Sequence, residues 1–151
     1  MNFEINRPHA LMFHHFHSEK HPIGQGSIND DQFKSIINFY SKKFTIISAD
    51  LFFKKFLNND LQNNEVCISF DDNLKCQYEI AMPVLEKLNL KAFWFLYTSP
   101  LNGSFEKLEL YRYFRSVNFN SFEEFYESFF NELKLHEKYS FIFKNLLKFD
   151  S

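Results

Sequence analysis

Two carboxylates stand side by side at the end of an apolar run: Val66-Cys67-Ile68-Ser69-Phe70 is followed by Asp71-Asp72-Asn73. Adjacent carboxylates repel each other unless a cation or a proton relieves them. A divalent metal can partner one and leave the other free to act as a base. A second concentration of chemistry lies nearer the N-terminus, where His14, His15, His17 and His21 fall within eight positions. On an extended segment His15 and His17 face the same side, a spacing compatible with one metal. Each feature has a plainer reading. The aspartates can form a polar turn that caps a helix starting near Asn73 or Leu74. His15 can line a pocket through hydrogen bonds while His17 and His21 sit solvated in a loop.

The elements that must position these residues follow from periodicity. His9 to His14 reads as a short buried strand, as do residues 44–48, 65–70 and 91–96. His21 to Ser27, with two of the three glycines and a proline, reads as a loop. Asn29 or Asp30 can cap a helix carrying Phe33, Ile36, Ile37 and Tyr40, and Ser48 can cap the next, over Asp50 to Leu57. A further helix is expected over Tyr78 to Leu88, with Pro83 near its first turn. Strands alternating with helices at this interval indicate parallel βαβ units. Ligands of such folds bind beyond the carboxyl ends of the strands, where Asp71, Asp72 and the His14-His15 pair fall. After Gly103 there is no further Gly or Pro, and Phe114, Phe119, Phe122, Phe125, Tyr126, Phe129 and Phe130 stand among charged residues. That tail reads as two or three helices.

Composition removes several function classes. A chain of 151 residues with net charge −2 has length for one core and no basic face for nucleic acid. No apolar run approaches the roughly 20 residues that span a bilayer, and the N-terminus lacks the basic and apolar regions of a secretory signal. Two cysteines, Cys67 and Cys76, make no disulfide framework. A cytoplasmic, reduced protein is expected. The 22 phenylalanines against 3 glycines are better explained by coding bias than by an aromatic binding surface.

Three segments taken together resemble a known family. Ile68-Ser69-Phe70-Asp71-Asp72, then Met82-Pro83-Val84-Leu85-Glu86-Lys87-Leu88, then Lys91-Ala92-Phe93-Trp94-Phe95 is similar to the pattern of polysaccharide deacetylases with a NodB-homology domain. Phe13-His14-His15-Phe16 is similar to the Tyr-His-His that ends their first strand. The resemblance covers residues 9 to about 100 and implies an incomplete, deformed (β/α) barrel, with 101–151 as a helical insertion or C-terminal segment of the same domain. It implies a metal-dependent hydrolase that removes acetyl groups from carbohydrate. Asp71 would be the general base and Asp72 a ligand to a divalent metal, typically zinc; His15 and His17 are further candidate ligands by their spacing alone. His14 and His15 would border the substrate.

There are two departures from the pattern. Asn73 stands where the family has Gly, and Asn tolerates left-handed backbone angles. The family's His-x-x-x-His ligand motif and its later acid histidine have no counterpart, since His136 has no histidine four residues away. The resemblance therefore implies a truncated domain, from a split gene or a fragment. Such a domain would associate through its open strand edges with a second copy or with a chain supplying the histidines. Alone it is expected to lack zinc-dependent turnover. The alternative is an inactive NodB-like fragment that acts by binding.

Overall fold

A computed structural model describes residues 7–24, 26–136 and 139. The chain is mixed α/β and divides into two units, Met1–Glu106 and Lys107–Ser151.

The first unit is built on strand β3 (Glu65–Phe70), all six residues of which are buried. Strand β1 (His9–Phe13) runs parallel along one edge of it, pairing His9 with Val66 and Phe13 with Phe70. Val66 also pairs with Ile46 of β2 (Thr45–Ile46), and Phe70 with Trp94 of β4 (Phe93–Trp94), both parallel. A strand has two edges, so β2 and β4 share the second edge of β3, one at each end. That sharing explains why they are two-residue strands and not the longer 44–48 and 91–96. Neither can run the length of β3 without displacing the other. The expected parallel pairing is observed, in an open four-stranded sheet.

The helices follow local chemistry closely. Helix α1 (Asp30–Ser41) opens with a reciprocal capping box. The Asn29 side chain accepts from the Gln32 N–H at 2.8 Å, and the Gln32 side chain accepts from the Asn29 N–H at 2.9 Å. Helix α2 (Ala49–Leu57) is capped by Ser48. Helix α3 (Met82–Lys87) has Pro83 in its first turn. The expected helix over 78–88 differs in its first half, which is a wider π-helical turn, Gln77–Ala81. Pro83 has no N–H to give the Glu79 carbonyl, and the Met82 N–H reaches back to Gln77 instead.

Beneath the carboxyl ends of β1 and β3 lies an aromatic core. Phe33 of α1 meets Phe13 and Phe16 edge to face at 4.8 and 5.2 Å, and Trp94 stacks on Phe70 at 4.3 Å. Ile37, Ile68, Ala81, Val84 and Leu85 complete it.

The second unit contains α4 (Lys107–Asn118) and α5 (Phe122–Leu135), as the tail's lack of Gly and Pro suggests. Ser121 caps α5 through the Glu124 N–H at 3.1 Å. Phe119 sits between Phe114 and Phe125, at 5.9 and 5.2 Å. The Arg115 guanidinium lies 4.5 Å over the Phe122 ring. Among the described residues no helix is long and apolar enough to cross a membrane.

Candidate metal centre

The ladder between β1 and β3 ends at Phe13 opposite Phe70, so His14 and Asp71 leave the sheet as the next facing pair. Phe13 and Phe70 anchor that step in the aromatic core. The chain then turns sharply through Asp72 at φ 68° and Asn73 at φ 53°, both left-handed. Asn73 thus holds a backbone conformation that suits glycine, and Asp and Asn are the non-glycine residues that enter it most readily. The turn directs both carboxylates toward His14.

His14 Nδ1 lies 2.9 Å from Asp71 Oδ1 and 3.2 Å from Asp72 Oδ2. Only the Asp72 contact has hydrogen-bonding direction. Asp71 Oδ1, though close to the ring, is buried without a hydrogen-bond partner. The available ligand atoms of His14, Asp71 and Asp72 lie within 4.8 Å of one another. Their side chains are 40%, 29% and 36% exposed, so an ion can reach them from solvent. A buried carboxylate oxygen without a donor is costly to maintain. A cation relieves that cost, and a second carboxylate beside it adds charge of the right sign. One imidazole with two carboxylates is a donor set that can hold a divalent metal.

The other candidate histidines are placed elsewhere. His15 is stacked beside His14, with ring centroids 6.3 Å apart and planes at 11°, and its carbonyl accepts from the Ile28 N–H. His17 Nδ1 is 2.9 Å from Ser27 Oγ, within the loop that Ser27 and Gly24 tie together. Neither belongs to the His14-Asp71-Asp72 group. His21 Nε2 contacts Glu79 at 2.8 Å. That contact, with Lys75 beside it, holds the Glu79 carboxyl below its ordinary range. His136 belongs to the second unit and contacts Glu132 at 3.1 Å.

One residue that sequence reasoning passes over is Gln77. It is fully buried, and its side chain bonds to the backbone of both His14 and Asp71. The available signal was a glutamine on the buried face of a helix otherwise lined by Ala81, Val84 and Leu85.

No protein-family model matches the sequence, and no curated protein matches it. A solved structure of a de-N-acetylase from Aggregatibacter actinomycetemcomitans is similar at a TM-score of 0.47 and 21% identity, over 58% of this chain. The chain spans 36% of that protein's length.

Proposed function

We propose that this chain carries the aspartate part of a metal-dependent carbohydrate deacetylase site of the NodB-homology type, with its open sheet as the opening portion of a deformed barrel. The observation that carries the reading is the convergence of His14, Asp71 and Asp72 at the carboxyl ends of two parallel strands, with a buried Asp71 oxygen left without a donor. It is supported by the Phe70-Asp71-Asp72, Met82-Pro83-Val84-Leu85 and Lys91-Ala92-Phe93 segments that resemble the family.

In this reading Asp72 and His14 hold the ion, and Asp71 is the general base. A divalent ion, zinc by the resemblance, supplies Lewis-acid polarisation of the acetyl carbonyl when bound. Asp71 would accept the proton of the attacking water at Oδ1, the oxygen that accepts no hydrogen bond from the fold. His14, 2.9 Å from that oxygen, limits the directions from which a proton can arrive. The substrate is an acetylated sugar or polysaccharide, lying across the strand ends beside His14 and His15.

Cobalt(II) titration followed by visible absorption, with a sugar titration followed by NMR, tests this proposal. Visible d–d bands are expected on cobalt binding and should disappear in His14→Ala and Asp72→Ala. With metal present, N-acetylglucosamine oligomers should shift amide resonances at 14–15 and 71–73. Cobalt bands that survive both substitutions, or sugar-induced shifts elsewhere only, contradict the proposal.

A further inference from the structure

Where β1 and β3 separate, the carbonyls of His14 and Asp71 lose the partners that the ladder gives the residues before them. Gln77 supplies both. Its Nε2 donates to His14 O and to Asp71 O, each at 2.7 Å. Its Oε1 accepts from the Leu74 N–H at 3.1 Å, and the Gln77 N–H donates back to Leu74 O at 3.0 Å. The amide can face only one way, because a flip would press its oxygen against two carbonyl oxygens. The side chain is 0% exposed, so no water substitutes for these bonds. It is fixed at the start of the π-helical turn Gln77–Ala81, whose extra width distinguishes it from an ordinary first turn.

We infer that Gln77 is a positioning residue: its carboxamide clamps the two strand ends so that His14 stays against Asp71 and Asp72. It touches neither substrate nor ion. The clamp holds the two main chains together one residue beyond the end of the ladder, and the side chains of His14, Asp71 and Asp72 inherit that separation. The step from clamp to ion binding rests on the metal reading proposed above. The clamp itself does not.

Two measurements on the purified chain separate these claims. The first uses NMR without metal. In the wild type the Gln77 carboxamide protons should exchange slowly, and nuclear Overhauser contacts should connect the His14 ring to the Asp71 and Asp72 β-protons. Gln77→Met keeps the length of the side chain but removes both donors. It should lose those contacts, while Val84→Ala, a cavity in the same core, should keep them. Carboxamide protons exchanging at the free rate overturn the inference without any variant. Contacts that persist in Gln77→Met, or that vanish equally in Val84→Ala, also overturn it.

The second measurement is zinc affinity by calorimetry. Loss of a partner that orients a ligand typically costs about ten- to hundredfold in metal affinity, the loss expected for Gln77→Met and not for Val84→Ala. Unchanged zinc affinity in a Gln77→Met chain that has lost the contacts refutes the positioning role toward metal. If the wild type binds no zinc while the contacts behave as expected, the metal reading fails and the clamp stands.

Discussion

At the amino end of β3, Glu65 spends both carboxylate oxygens on the fold. One pairs with Lys55 of α2 and the other accepts the Gln62 N–H at 2.9 Å. At the carboxyl end, five residues of strand later, Asp71 Oδ1 is buried and accepts no hydrogen bond. The two ends share a strand and a residue chemistry, yet one carboxylate is consumed by structure and the other keeps an oxygen that accepts no hydrogen bond. The difference lies in the neighbours. A lysine from the next helix reaches Glu65, whereas the groups gathered at Asp71 are a histidine and a second acid. A carboxylate satisfied by the fold stabilises it, and one left unsatisfied is available to a ligand.

The largest effect expected from breaking this contrast comes from below the open end. Phe70 packs against Phe13, Phe16, Phe33 and Trp94, and Phe70→Ala should cost about 3–5 kcal/mol of stability. Denaturant unfolding followed by tryptophan fluorescence measures that loss, and a change below about 1 kcal/mol would remove Phe70 from its supporting role.

The closed end should give less. Lys55→Met leaves Glu65 buried with one donor gone, for an expected loss of about 1–3 kcal/mol and no change in zinc affinity. Zinc affinity that falls with Lys55→Met would mean that the two ends are not independent.

Acid should act at the closed end. Burial raises the Glu65 carboxyl, but the Gln62 N–H and Lys55 outweigh it and leave it below the ordinary 4.5. A lowered carboxylate contributes stability that is present above the unfolded value and lost as pH falls through the folded one. Stability should therefore decline as pH drops below about 4.5, and Glu65→Gln should flatten that part of the curve. A decline of unchanged slope in Glu65→Gln would assign the acid sensitivity elsewhere.

The smallest effect concerns the middle of the strand. Cys67 is fully buried, and burial pushes its thiol up to about 11. Aromatic disulfide reagents at neutral pH should leave it unmodified in the folded chain and label it on unfolding. Rapid labelling of the native protein would show that β3 opens.

Much of this arrangement was legible in the sequence where the signal is local. Asn29 and Ser48 as caps, Pro83 in a first turn, and Asn73 in a left-handed turn each follow from the chemistry of one residue and its immediate neighbours. What depends on partners was not legible. Apolar runs at 44–48 and 91–96 carry no mark that they must divide one edge of β3. Phe95 and Leu96 are both 58% exposed although they continue such a run. The choice among histidines turned on register. His14 joins the aspartates because Phe13 faces Phe70, and the spacing of His15 and His17 holds no such information. Gln77 was missed because a polar residue in a helical pattern reads as solvated. Its burial comes from two carbonyls distant in sequence.

Zinc calorimetry on the wild-type chain, Asp71→Ala and Asp72→Ala tests the open end most directly. The account predicts one site in the wild type and a loss in Asp72→Ala at least as large as the ten- to hundredfold typical of disturbing an outer partner. Affinity in Asp71→Ala should fall only a few-fold, because that carboxylate serves as base. Zinc binding unaffected by Asp72→Ala, or no binding by the wild type, would contradict the claim that the carboxyl end of β3 is a metal centre.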